Sequence, residues 1–356
     1  MKHKEAIERL VRVATSRERA LRKAATEHGA LLARAVATAI VVQHAEAVCE
    51  LGAVIRQLDQ APTESEGAAA AAAAPGTGGG GGGGGAGGGP AAASGAPPPG
   101  AQASSECERR AAAAVQQLKR SLADAPGGGS AVPPHLGPSW WPHGRACLDG
   151  ALSISTVEEL RAVFLRYAHS IGMLVPRIRL AAHDGTESLR RLWEVRTSSL
   201  VTTAVVMLTR PQLLAECAVA PMEPVAAARP PREHLDYIAA QLRLSPEQGA
   251  ICRELISSRR RRCSPINARC AELVQAQARG GPGLAAAEVA AEAVNELSGN
   301  QASYVFYIVV HYMALFDSVL TLQQYSDYSL ATWPYVLGGE EIDIVFDIAI
   351  AASVGD

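Results

Sequence analysis

The sequence predicts an all-α protein with a long N-terminal helix, a disordered linker rich in Gly, Ala and Pro, and a C-terminal helical bundle. Hydrophobic residues make up 48% of the chain but aromatic residues only 4%, so its core must be built mainly from Ala, Leu, Val and Ile. Abundant alanine and the scarcity of alternating β-branched positions favour helix over sheet. Apolar residues also recur at helical spacing in one segment after another.

The N-terminal segment, residues 1–61, is predicted to be one long basic helix. Its first 60 residues contain no proline, and Pro62 would end the helix. Successive seventh positions include His28 and Cys49, so the seam is too irregular for a leucine zipper. We expect this helix to self-associate or to pack against a protein partner. Its predicted apolar face contains Ile7, Leu10, Val11, Ala14, Leu21, Ala25, Leu32, Ala35 and Val36.

The second segment, residues 62–137, has a different composition. It contains an alanine run at Ala68–Ala74, a glycine tract at Gly78–Gly85 and a proline run at Pro97–Pro99. Such a sequence cannot bury enough apolar surface to offset the entropy lost on ordering, which predicts a flexible linker. One short helical patch is predicted within it, at Glu106–Leu122.

The third segment, residues 138–356, is predicted to be a bundle of about seven to nine helices. Capping boxes, in which a hydroxyl and an acid or amide three residues later bond reciprocally, mark helix starts at Ser155–Glu158, Ser245–Gln248 and Thr321–Gln324. Apolar periodicity predicts further helices at Glu187–Thr209, Pro231–Leu242, Ala285–Leu297, Gln301–Ser318 and Glu340–Val354.

Charge and cysteine content restrict the compartment and the partners. The net charge of −2 gives no global electrostatic case for nucleic-acid binding, which would need a local basic patch. The seven cysteines are an odd number in a chain that begins without an apolar signal region. We therefore expect a reducing intracellular compartment, either nuclear or cytoplasmic.

The most apolar segment, Tyr304–Leu322, is the best candidate for a membrane span. It contains His311 and Asp317, and a charged side chain at mid-bilayer costs about 2.5–3.5 kcal/mol. A buried helix of a soluble protein fits better, with His311 as a satisfied core histidine. We expect no membrane association.

No pattern of catalytic, cofactor-binding or metal-binding residues is present in the sequence. The closest cysteines, Cys252, Cys263 and Cys270, lack the CxxC spacing of zinc sites and are typical of buried helix residues. We therefore expect a protein that is not an enzyme and that uses no cofactor or metal.

The most functional-looking stretch is the basic run Arg259–Arg262. Four adjacent guanidinium groups could bind phosphate, an acidic protein or an import receptor, and we expect them to be exposed. Ser264, which precedes Pro265, is a candidate phosphorylation site that would cancel part of this charge. The alternative is a solvated basic helix end.

Three local features resemble a known family. Leu244–Gln248 opens a helix that leads into the basic run, Val319–Gln324 is followed by Trp333–Tyr335, and the tryptophan-containing segment Glu187–Leu200 precedes both. Together they resemble the region outside the zipper in basic-leucine-zipper-type transcription-factor-like proteins of green algae. The resemblance implies a nuclear regulatory role.

One departure from that family concerns DNA binding. The zipper family's basic region carries an asparagine followed eight positions later by arginine. The residues eight positions after Asn267, Asn295 and Asn300 are Gln275, Ser303 and Ile308. No DNA-reading segment is therefore transferable, and nucleic-acid binding stays open.

Two functions remain from the sequence. The first is a non-enzymatic helical regulator that binds other proteins, with a role in transcription and self-association through the N-terminal helix as options. The second is a helical domain that binds a small molecule or lipid. Aromatic residues that could line its pocket are Trp193, Tyr304, Phe306, Tyr307 and Tyr312.

Overall fold

The computed structural model describes residues 2–60, 138–140, 147–180, 185–219, 222–223, 229–279 and 284–354. Within these residues the chain forms ten α-helices and one π-helical segment, with no strand, which confirms the all-α prediction. The predicted linker over 62–137, with its helical patch at Glu106–Leu122, lies outside the described residues. The helices are α1 Lys2–Gln60, α2 Leu148–Leu152, α3 Val157–Leu180, α4 Thr186–Thr209, α5 Pro211–Ala218, α6 Arg232–Leu242, α7 Pro246–Arg279, α8 Leu284–Met313, α9 Leu322–Ala331 and α10 Gly339–Ala352.

Two of the three predicted capping boxes are confirmed. The Ser245 hydroxyl accepts from Gln248 N, and the Thr321 hydroxyl accepts from Gln324 N, each at 3.2 Å. The third box is shifted by one residue, because α3 begins at Val157 rather than at Thr156. There Glu159 N donates to the Thr156 hydroxyl, which leaves Glu158 outside the box.

The two helices predicted at Ala285–Leu297 and Gln301–Ser318 are one continuous element. Helix α8 runs from Leu284 to Met313 and passes directly into a π-helical segment, Ala314–Val319. Gly299 lies inside α8 and does not interrupt it. Glycine weakens a helix by about 1 kcal/mol relative to alanine, and the packing of neighbouring helices outweighs a loss of that size.

The second half of α1 belongs to the same core as the helices of the C-terminal segment. Ile40, Ala45 and Leu51 are fully buried and pack in one hydrophobic cluster with residues from α4, α7 and α8. The first half of α1 differs, because its described side chains from Glu18 to Leu32 are exposed. Residues from both sides of the predicted linker therefore share one core.

A buried ion pair fixes the π-helical segment. Arg196 of α4 donates to the backbone carbonyls of Phe316 and Asp317, and its Nη2 lies 3.1 Å from the Asp317 carboxylate. Ser139 donates to the same carboxylate through its backbone N–H at 2.8 Å and its hydroxyl at 2.5 Å. A π-helix departs from the regular i to i−4 bonding, and here a side chain satisfies carbonyls of that segment.

His44 of α1 extends this polar network. Its Nδ1 accepts a hydrogen bond from the Trp140 indole at 3.2 Å, so the proton is on Nε2, which donates to the Ser318 hydroxyl at 2.7 Å. Burial, reinforced by the nearby Arg196 charge, lowers the pKa of His44 to about 3. We call His44, Ser139, Trp140, Arg196, Asp317 and Ser318 the polar network.

His311 is a buried core residue, as predicted, but only one of its ring nitrogens is satisfied, and it lies outside this network. Its Nδ1 is 2.7 Å from the backbone carbonyl of Tyr307, while its Nε2 is buried without a partner in the described part of the chain. Burial lowers the pKa of His311 to about 3.

Two stretches of helix are long and apolar enough to cross a membrane by length and composition. They are Glu18–Leu58, which the sequence reading did not single out, and Val289–Val319, which overlaps the predicted candidate. In each, more than half of the most apolar window is buried inside the bundle, at 56% and 67%. A core helix of a bundle passes the same test.

Candidate functional site: an aromatic cavity

A cavity of about 330 Å³ lies between α3, α4, α5, α7, α8, α9 and the loop that joins α9 to α10. Its wall is mostly apolar. Side chains at helical spacing on α8, namely Tyr304, Ile308 and Tyr312, form one side. The opposite side comes from α3 and α4, through Phe164, Tyr167, Ile171, Ser199, Thr203 and Met207.

Tyrosine is concentrated around this cavity. The chain has eight tyrosines, and six of them line it: Tyr167, Tyr304, Tyr312, Tyr325, Tyr328 and Tyr335. The remaining core is largely aliphatic, as its composition predicts. Clusters of aromatic rings with polar ends are typical of surfaces that recognise a ligand.

Phe316 supports three of these rings. Its ring centroid lies 4.6 Å from that of Tyr312, 4.9 Å from that of Tyr328 and 6.4 Å from that of Tyr325. Because Phe316 is itself fully buried in the π-helical segment, the three tyrosines are held in defined orientations. The same segment therefore carries both the polar network and the support of the cavity wall.

The three tyrosines around Phe316 are neutral phenols. Burial raises the pKa values of Tyr312, Tyr325 and Tyr328 above the ordinary value for tyrosine. The hydroxyl of Tyr167 is hydrogen-bonded to that of Thr202 at 2.9 Å, which holds its ring against the cavity. Among its described residues, the wall thus offers apolar ring faces and no acidic side chain.

Arg259 is a charged side chain at the cavity wall. It is only 8% exposed, and its Nη2 donates to a carboxylate oxygen of Asp343 on α10. Burial lowers the pKa of its guanidinium group, which nevertheless remains protonated at neutral pH.

The expectation that all four arginines of the basic run are exposed is wrong for Arg262, which is half-buried, and most clearly for Arg259, which is buried. For Arg259 the reason is the acidic pair on α10: Asp343 accepts from Arg259, and Asp347 accepts from Arg260 at 2.7 Å. Asp343 and Asp347 are four residues apart and so lie on one face of α10, but nothing in the sequence indicates that this face meets the basic run. Arg260 and Arg261 are exposed as expected.

Arg262 and Ser264 are the remaining predicted features of this basic stretch. The Arg262 guanidinium carbon lies 5.5 Å from the centroid of the Tyr307 ring, a cation–π contact. Ser264 is exposed and lies inside α7, which continues through Pro265 to Arg279. Its phosphorylation stays a prediction.

The loop between α9 and α10 closes another part of the wall. Trp333, Tyr335, Val336 and Leu337 of this loop all line the cavity. The Trp333 indole donates to Glu223 at 2.9 Å, and Met222 N donates to the Pro334 carbonyl at 2.8 Å. Two contacts therefore tie the loop to the short segment after α5.

Two of the five aromatic residues named as pocket candidates line the cavity, Tyr304 and Tyr312. Phe306 and Tyr307 lie two and three positions after Tyr304, and neither is among its lining residues; Trp193 of α4 is not either. The sequence reading missed Tyr325 and Tyr328, whose three-residue spacing on the capped helix α9 was an available signal.

A second, polar pocket lies at the surface, beside the start of α9. It is lined by Arg179, Gln241, Arg243, Thr321, Gln323, Gln324 and Asp327. Its polar groups are largely engaged with one another: Arg179 pairs with Asp327 at 2.8 Å, and the Gln324 amide donates to the carbonyls of Leu242 and Arg243. The aromatic cavity is therefore the stronger candidate site.

Within the described ranges, no group of three or more His, Cys, Asp or Glu residues is placed to hold a metal ion. Burial raises the pKa values of Cys217, Cys252 and Cys263, which makes these thiols poor nucleophiles.

No protein family model, curated protein or solved structure matches this chain. The resemblance to the algal zipper-type proteins stays a prediction.

Proposed function

We propose that the protein binds a small hydrophobic or amphipathic molecule in the aromatic cavity, the second of the two functions that the sequence left open. The observation that carries this proposal is the set of six tyrosines around one cavity. A volume of about 330 Å³ is within the range of small-molecule sites, roughly 300–1,000 Å³. In this function the protein is a binding module and not an enzyme.

Core packing alone is a poor explanation for the cavity. Protein interiors are close-packed and hold few voids larger than a water molecule. This cavity is half open, so its rings present apolar area to solvent. A ligand would remove that area from water and add dispersion contacts, which favours an apolar occupant.

Titration with the neutral apolar dye Nile red tests this proposal. We expect saturable binding with a rise in fluorescence. Ala168, which is half-buried and lines the cavity, offers a way to block it. The Ala168→Phe variant should lose most of the dye binding, because the new phenyl ring occupies the cavity.

Ala162 on the same helix is exposed and lies outside the cavity, so Ala162→Phe is the matched control. It should bind the dye as the unmodified protein does. Equal dye binding by both variants, or none by the unmodified protein, would contradict the proposal.

We also propose a protein-interaction function for the first half of α1, consistent with the regulatory role that the sequence favours. Leu21, Leu31 and Leu32 are exposed there at 71%, 46% and 56%. The exposed surface also carries the ion pairs Arg22–Glu18 and Lys23–Glu27. Association with a second copy would cover the leucines.

Sedimentation velocity of the full chain tests the association. We expect a concentration-dependent dimer that the double variant Leu21→Glu/Leu32→Glu converts to monomer. A monomer at all concentrations in the unmodified protein would rule out self-association through this helix.

A further inference from the structure

We infer that the occupant of the aromatic cavity is a carboxylate amphiphile, with its apolar chain among the tyrosines and its head group on Arg259. This inference rests on the proposed function, and it names the class of ligand. The observation that carries it is a buried arginine, which also pairs with Asp343, in a wall whose other described residues are uncharged.

Arg259 is a buried residue of the cavity wall. It is 8% exposed and lines the cavity together with Tyr304 and Ile342. A guanidinium group has five N–H donors in a planar fork that matches a carboxylate. A donor that already lies in the wall can meet a ligand without a large rearrangement.

Arg259 and Arg260 share one counter-ion, Asp343. Asp343 accepts from Arg259 and also lies 3.6 Å from Nε of Arg260. If Arg259 turns part of its fork toward a ligand, Asp343 keeps a cationic neighbour. The usual cost of leaving a buried carboxylate unpaired is thereby reduced.

The charges near Arg259 affect which head group the cavity favours. The run Arg259–Arg262 carries four positive charges, and α10 carries four acidic residues, of which Asp343 and Asp347 pair with the run. Arg262 is three residues from Arg259, on the same side of α7, and lies against the Tyr307 ring. Among the described residues that line the cavity, however, Arg259 is charged and none is acidic, which favours an anionic head over a cationic one.

A single carboxylate fits this site better than a phosphate. Within the described residues that line the cavity, Arg259 is the lone Lys or Arg side chain, and Asp343 already neutralises part of its charge. A planar, singly charged carboxylate can share the N–H donors of Arg259 with Asp343, whereas a doubly charged phosphate needs additional cations nearby. The basic run that the sequence singled out therefore acts at the head-group end of a pocket.

Displacement of Nile red by three ligands of equal chain length tests the inference: decanoate, decanol and decylamine, each below its micelle concentration. Charged hydrogen bonds are stronger than neutral ones, so decanoate should displace the dye at a concentration lower than decanol by at least about tenfold. Decylamine, which is protonated at neutral pH, should be the weakest.

Variants assign the preference to Arg259. Arg259→Gln should still bind Nile red but should lose the preference for decanoate over decanol. Arg261→Gln, in the same run but exposed and outside the cavity lining, should keep it. If Arg259→Gln does not fold, the double variant Arg259→Gln/Asp343→Asn removes both charges and should show the same loss.

The outcomes separate the two proposals. If the unmodified protein binds Nile red but decanol and decanoate compete equally, the carboxylate inference is wrong and the binding function stands. A decanoate preference that survives both Arg259 variants also overturns the inference. If Nile red does not bind at all, the proposed function and this inference fall together.

Discussion

The polar network and the aromatic cavity are neighbouring regions that meet at the π-helical segment Ala314–Val319, and they differ in how their groups are used. In the polar network, Asp317 accepts from Ser139 and Arg196, and His44 is hydrogen-bonded through both ring nitrogens. In the cavity, rings and one guanidinium group border open space.

This difference distinguishes buried groups that stabilise the fold from buried groups that border a cavity. Buried polar groups that are paired favour one arrangement of the chain, because other arrangements leave a charge unpaired. Here they fasten α1 and residues 138–140 onto the bundle. Arg196 Nε is the exception in the polar network, since it is buried without a hydrogen-bond partner among the described residues. Apolar rings around a cavity leave contacts unmade, and those contacts are available to a ligand.

Removal of Asp317 should have the largest effect. Asp317→Ala leaves the buried Arg196 without its counter-ion, and we expect a loss of about 3–5 kcal/mol in the free energy of unfolding. Urea denaturation measures it. Asp327→Ala, which breaks the more exposed pair with Arg179, is the control and should cost no more than about 1 kcal/mol. Similar losses in both variants would show that the buried pair contributes no more to the free energy of unfolding than the exposed pair does.

The second prediction concerns pH. The folded pKa values of His44 and His311 are about 3, below the ordinary value of 6.5. Between these values the unfolded chain binds protons at these histidines that the folded chain does not. The contribution of the two histidines to stability is therefore full above about pH 6.5 and is lost as the pH falls toward 3. Each histidine should remove about 1.4 kcal/mol per pH unit well inside that window.

Urea denaturation at about pH 7.5 and pH 5.5 checks this slope. His311→Phe removes one of the two groups and should reduce the pH dependence by about half. His169→Phe, the same substitution at an exposed histidine, is the matched control. A pH-independent stability across this interval would mean that the two histidines are not buried as neutral rings.

The third prediction concerns the cavity loop and has the smallest effect on stability. Glu223→Ala removes the acceptor of the Trp333 indole, an exposed hydrogen bond worth about 1 kcal/mol or less. We expect little change in unfolding but faster release of Nile red in stopped-flow measurements, because Trp333 is part of the wall. An unchanged release rate would show that this contact does not hold the cavity closed.

The sequence predicted the helices well because helix starts are local. The boxes at Ser245 and Thr321 need only two side chains three residues apart, and both are present. The fusion of two predicted helices into α8 could not be predicted, since it depends on packing against α7. The π-helical segment likewise depends on Arg196, which lies 120 residues away from the carbonyl of Phe316.

The candidate site was predictable only in part. Tyr304 and Tyr312 were named from their aromatic character, but the cavity forms where α3, α4 and α9 converge on them. Arg259 looked like surface, because arginine is rarely buried without a partner and its partner, Asp343, is 84 residues away. No local signal distinguished it from Arg260 and Arg261.

Hydrogen–deuterium exchange with and without saturating Nile red tests the central claim most directly. The claim is that the cavity responds to a ligand while the polar network does not. We expect slower exchange in the loop from Thr332 to Leu337, which lines the cavity, and unchanged exchange around His44 and Asp317. Bound dye with no added protection in that loop would contradict it.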